Sequence, residues 1–106
     1  GVIWFDFYAL CSSPRSTEDY IELSKLYHSI LLSDVPQLED GKNDQVRRFI
    51  SLVDEFYDRN VKLIISAEVP LSLLYQGRSL EFEFKRTLSR MQEMQSHEYL
   101  AKGHLP

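Results

Sequence analysis

Residues 47–70 read RRFISLVDEFYDRNVKLIISAEVP, and the fold turns on where a helix gives way to a strand within them. Val46, Phe49, Ile50, Val53, Phe56 and Tyr57 recur at spacings of three and four. That period belongs to an amphipathic helix. Arg59-Asn60 then supplies a cation and a residue type that tolerates a left-handed helix end. Residues 61–67, VKLIISA, form an apolar, β-branched run of strand length, stopped by Val69-Pro70. A helix therefore passes into a strand within one tight turn.

Working upstream, His28-SILLSD is a short apolar run that ends at Asp34-Val35-Pro36, which predicts a buried strand. The polar loop QLEDGKND separates it from the helix. Ser16 with Asp19 three residues on is a carboxylate variant of the capping box, and Tyr20, Leu23 and Tyr27 follow at helical spacing. Residues 2–10, VIWFDFYAL, are aromatic and β-branched and read as one strand. Downstream, residues 71–76 predict one or two helical turns, and Gly77-Arg78 a turn. Residues 80–101 predict one helix with Phe84, Leu88, Met91 and Met94 or Gln95 as its buried stripe.

The order β-α-β-α-β-α predicts an α/β domain with a three-stranded parallel sheet and right-handed crossovers. With the strands in sequential order, both connecting helices fall on one face. The other face must be covered by the final helix or by further parts of a parent protein. The chain opens at Gly1, one residue before a strand-like run, and is expected to be a piece of something longer.

Composition narrows the function. The 106 residues fit one domain, and 43% apolar residues with six Phe, six Tyr and one Trp suffice for a core. A net charge of −4 leaves no basic footprint, so nucleic acid is not expected as a partner. One cysteine, Cys11, excludes an internal disulfide and a cysteine-built metal cluster, and fits a reducing compartment. Cys11 reads as a small buried residue at a strand end. No apolar run reaches the length of a membrane span, and no signal peptide is evident.

Within the opening stretch, ISLVDEF matches the apolar-then-acidic pattern of a magnesium-binding strand in P-loop proteins. The helical period argues against that use, and Asp54 and Glu55 are expected on the polar side of the helix, near Arg47, Arg48 and Arg59. None of the four glycines begins GxxxxGK[ST], so the chain lacks the loop that cradles phosphates. Ligands of parallel sheets gather at the carboxyl ends of strands. Here those ends carry Asp34 and Ser66-Ala67-Glu68. The two carboxylates either hold a cation or do acid–base work, or each caps a turn or pairs with an Arg. Arg86, Arg90, Glu93 and His97 line one face of the last helix at spacings of four, three and four. Arg86 or Arg90 either reaches the Asp34–Glu68 end or a partner's phosphate, or belongs to a solvated, self-paired face. The three histidines lack metal-ligand spacing, and His104 is expected in a frayed tail. Trp4, Phe5, Phe7 and Tyr8 read as sheet packing rather than a base-stacking platform.

The segments DYIELSKLYHSILLSDVP, RRFISLVDEFYDRNVKLIISAEVPLSLLYQG and FEFKRTLSRMQEMQSHEYL resemble the carboxy-terminal part of the ZapE family. These are P-loop ATPases related to AAA+ proteins, and they include bacterial division factors and mitochondrial lactation-elevated proteins. The resemblance covers nearly the whole chain. It implies that residues 1–106 are a single C-terminal fragment of a longer ATPase, without the phosphate loop. ATP and Mg would be bound by the parent and not by this fragment. It further implies a cytoplasmic bacterial protein acting at the division site, with its own ATPase half and the division tubulin FtsZ as partners, and oligomerisation as an option. The element order resembles a degenerate half of an AAA+ core. In that likeness Asp34 stands at the magnesium-strand Asp, Val35 replaces the catalytic Glu, Glu68 lies near a sensor position, and Arg86 or Arg90 lies near an arginine-finger position. Two alternatives are a stand-alone interaction module and a metal-assisted hydrolase using Asp34 and Glu68.

Overall fold

The computed structural model describes residues 1–105. Strands β1 (Val2–Asp6), β2 (Ser29–Val35) and β3 (Lys62–Ala67) form an open, all-parallel sheet in the order β1-β2-β3. The α/β architecture and parallel sequential sheet expected from the sequence are thus present. Register places Trp4 beside Leu31 and Leu31 beside Ile64.

Two short elements depart from the sequence reading. Residues 7–10 do not extend the first strand. They begin helix α1 (Phe7–Cys11), because the Asp6 carboxylate accepts a hydrogen bond from the Tyr8 amide (2.9 Å) and caps the helix. Phe7, Leu10 and Cys11, at helical spacing, are all buried. Cys11 therefore ends a helix, not a strand, and burial pushes its thiol up to about 12. The final helix is also two helices: α4 (Glu81–Met94) and α5 (His97–Ala101). Ser96 makes the break by adopting an extended backbone and accepting the Tyr99 amide at its hydroxyl (3.2 Å).

Helix α2 (Thr17–Leu26) starts as its capping box predicts, with Asp19 accepting the Ser16 amide (2.9 Å). Helix α3 (Asn43–Asp58) carries the central stripe Val46, Phe49, Leu52, Val53 and Phe56, all buried. It packs on α1, α2 and α4. Asn60, with φ 58°, closes the turn into β3 in the left-handed region that Asn tolerates.

The sheet uses its two faces unequally. Ile3, Phe5, Ile30, Leu32, Leu63 and Ile65 join the helices in one core. α4 lies on this same side, where Met91 and Met94 line a cleft with Leu63 and Ile65. The final helix therefore does not close the opposite face. There Val2 is 60%, Trp4 68% and Ile64 57% exposed. Trp4 does not pack into the core as expected; Phe7 does, but from a helix. The tail is not frayed where it is described: Leu105 donates to Arg59 O (3.0 Å), and His104 Nε2 to Ser24 O.

Candidate functional site

At the carboxyl ends of the strands, Asp34 and Glu68 border one open hollow with Tyr8, Val35 and Ser66. Both carboxylates thus lie at the strand ends, where the sequence places them. Their engagements differ. Glu68 Oε1 accepts the Gln37 amide (2.9 Å), and the Glu68 amide donates to Val35 O (3.1 Å). Glu68 thus clamps the turn after β2 onto the turn after β3. Gln37 continues the clamp by donating to Leu73 O (3.0 Å). Asp34 has φ 59°, in the left-handed region, where the β2–β3 register slips. Its amide donates to Ser66 Oγ (3.3 Å), while its carboxylate has no hydrogen-bond partner among the described residues. Among those residues no group of three or more His, Cys, Asp or Glu side chains could hold a metal ion. Two carboxylates, one of them already bound to backbone, make a poor cation site.

Arg86 and Arg90 do not reach this end of the sheet. Both turn to Asp54, in the VDEF stretch of α3. Arg90 Nη1 pairs with Asp54 Oδ1, and Arg86 Nη2 approaches Asp54 Oδ2 at 3.5 Å. Asp54 is consequently not the solvent-facing carboxylate expected from the sequence: its side chain is only 23% exposed. The two arginines are unequal. Arg90, 27% exposed, also lies over the Tyr57 ring at 5.0 Å from its centroid. Tyr57 in turn donates to Glu93 (2.9 and 3.0 Å), which raises the Tyr57 pKa. Arg86 is 59% exposed and holds only the edge of the pair. Arg90 is a fixed tie between α3 and α4, and Arg86 is a mostly free guanidinium beside it. Glu55, the other carboxylate of the stretch, has its pKa raised by burial first and by Asp58 second.

Two further polar clusters escaped the sequence reading. Asp40, in the loop before α3, accepts from Ser79 Oγ (2.7 Å), Arg78 N (2.8 Å), Ser79 N (3.0 Å) and Tyr75 Oη (3.3 Å). The Ser79 bonds, with the Arg78 amide next, hold its carboxyl down at about 2. A Cβ on Gly77 would come within 2.5 Å of Tyr75 Oη and 2.6 Å of Asp40 Oδ1, so only glycine fits there without a shift. The other cluster is Tyr99, whose buried hydroxyl bonds Val61 O (2.7 Å) and Phe56 O (3.2 Å). The turn-forming sequences EDG and YQGRS signalled loops at both ends of the Asp40 contact, but only the fold brings them together.

None of the three strand-to-helix junctions resembles a phosphate cradle. β1 enters α1 through the Asp6 carboxylate, the loop before α3 is gathered by Asp40, and the same Asp40 takes up the Arg78 and Ser79 amides ahead of α4. A phosphate site needs free backbone N–H groups at such a junction, and usually glycine.

The geometry is that of an α/β domain whose parallel sheet carries two carboxylates at its strand ends. The chain belongs to the AFG1-like ATPase family, whose model matches residues 1–103. It is 58% identical over 99 residues to cell division protein ZapE of Escherichia coli K12, covering 93% of this chain and 26% of that protein. It is 31% identical over 129 aligned residues to lactation elevated protein 1 homolog B of Danio rerio, covering 92% of this chain and 26% of that protein. The chain thus spans about a quarter of the length of these curated relatives. No solved structure matches it. Among the described residues, no helix is long and apolar enough to cross a membrane.

Proposed function

We propose that residues 1–106 form a catalytically silent C-terminal domain of an AFG1-like ATPase that works in bacterial cell division. The observation that carries the reading is the state of the strand-to-helix junctions. Where a P-loop protein presents bare N–H groups and a lysine to phosphate, β1 here presents Asp6, whose charge repels phosphate and whose oxygen already occupies the helix end. The domain docks on the ATPase part of its own chain or contacts partner proteins. ATP and Mg belong to that other part. A cytoplasmic setting, recruitment to the division site, self-assembly and contact with FtsZ follow from the family reading, because the relative matched at 58% identity is a cell division protein.

Of the two candidate arginines, Arg86 is the one to offer charge to a nucleotide on a neighbouring subunit, since Arg90 is held by Asp54 and Tyr57. Likeness to half of an AAA+ core gives Asp34 and Glu68 the places of a magnesium aspartate and a sensor. The backbone clamp made by Glu68 favours a structural use there over a metal-assisted hydrolase.

The test is ATP binding and hydrolysis by the 106-residue chain beside the full-length protein. A silent chain and an active parent support the reading. Binding of ATP by the chain alone overturns it and makes Asp34 and Glu68 the first residues to substitute.

A further inference from the structure

All-parallel sheets are covered on both faces in nearly every fold that contains them. Here one face is packed by helices, and the other is bare. Register aligns Trp4, Leu31 and Ile64 in one row across all three strands, with Val2 beside it on β1. Trp4, Ile64 and Val2 are more than half exposed, and Leu31 is half-buried between its neighbours. The polar side chains among them are small: Ser29, Ser33 and Ser66. Lys62 lies at one end of the face, and Asp6 at the other is used in the α1 cap. The centre is free of charge, which is the mark of an interface core. The one donor of Trp4 is satisfied at home, since Nε1 donates to Ser33 Oγ (2.8 Å). Covering the indole therefore strands no hydrogen bond.

We propose that this face, centred on Trp4, Leu31 and Ile64, is the seat of the ATPase part of the same polypeptide. The proposal rests on the accessory-domain reading above and names the surface that reading needs. Three observations select this occupant. The final helix, the one candidate within the chain to close the face, lies on the other side with Met91 and Met94 against Leu63 and Ile65. The relatives carry about three quarters of their length outside the matched region, so covering chain is at hand. The apolar patch is four side chains, Val2, Trp4, Leu31 and Ile64, against the ~20–30 residues a side typical of a stable association between separate molecules. A tethered partner needs less area, because the linker supplies an effective concentration of about millimolar.

The experiment uses the full-length protein with single reporters: Ile64→Cys and Val2→Cys on the bare face, and Glu22→Cys on the exposed side of α2 as reference. Maleimide labelling is followed peptide by peptide by mass spectrometry, at low and high protein concentration. Cys11, fully buried, labels only on unfolding and marks any variant that has lost its fold. Val2→Cys, on an exposed edge-strand position, serves if Ile64→Cys is lost that way. The expected result is labelling of the face about tenfold or more slower than Glu22→Cys, at every concentration, down to that at which the protein sediments as a monomer. Protection that appears only at high concentration with a dimer in sedimentation assigns the face to a second copy and overturns the proposal. Labelling as fast as the reference overturns it too. ATP binding by the 106-residue chain alone would defeat the accessory reading, and the labelling rates do not depend on it.

Discussion

The two faces of one sheet are built from the same three strands and the same alternation, yet they have opposite characters. On the helix side, Ile30 and Leu32 are buried in one core with Phe49, Leu52 and Phe56. On the other, Trp4 and Ile64 stand in the open. Composition alone does not leave a face bare, because the open side also carries Val2, Trp4, Leu31 and Ile64 among its serines. What decides is the crossover: sequential strands with same-handed connections send every helix to one side. The bare side is thus a consequence of strand order.

The comparison can be broken most sharply at its buried end. Phe49→Ala should cost ~3–5 kcal/mol, since a large core ring is lost and α3 cannot collapse into the gap. Urea unfolding of the chain would show it, and a loss no larger than that of a surface change would mean the helix side is not the core. Next comes acid. Asp40 has a folded pKa depressed to about 2, below its unfolded value, so its contribution is complete above about pH 4 and fades as pH falls through about 2. Melting temperature should drop across that window, and Asp40→Asn should flatten the part of the drop that belongs to this loop.

The smaller effects sharpen the contrast between tie and free charge. Arg90→Ala should lower stability by about 1 kcal/mol, through the Asp54 pair and the Tyr57 ring together, whereas Arg86→Ala should change it by less than about 0.5. In the full-length protein Arg86→Ala should cut ATP turnover with nucleotide binding retained. Equal stability losses for the two would refute the distinction between them, and unchanged turnover would end the role in trans. Smallest of all, Ile64→Ser in the 106-residue chain should stay within about 0.5 kcal/mol, as exposed positions do. A core-sized loss there would show that the face is covered within the chain itself.

How much of this was legible in the residues follows the range of the interaction. Val46, Phe49, Val53 and Phe56 announce α3 by period, and Ser16 with Asp19 announces the start of α2, because helices and caps are local. FYALC was misread because aromatic composition outweighed the helical spacing of Phe7, Leu10 and Cys11, and the capping Asp6 looked like one more strand residue. The same limit hid the break at Ser96. The strand-end positions of Asp34 and Glu68 follow from the strand boundaries, but their inequality depends on Gln37, whose amide Glu68 holds. The partnership of Asp54 with Arg86 and Arg90 spans 32 and 36 residues and needs two helices packed in one particular rotation. Complementary charge on the two helices was visible, but not which pairs would meet.

The Tyr99 hydroxyl has a consequence for how the chain comes off the ribosome. Its acceptor, Val61 O, lies 38 residues earlier. At roughly 5–20 residues per second, that carbonyl waits some seconds for its donor to be synthesised. Until then the turn from α3 into β3 keeps a hydrated carbonyl where the finished protein has a buried bond. The closing of that corner therefore follows translation, and chains truncated before residue 99 should be open to protease at Asn60 while the full 106-residue chain is not.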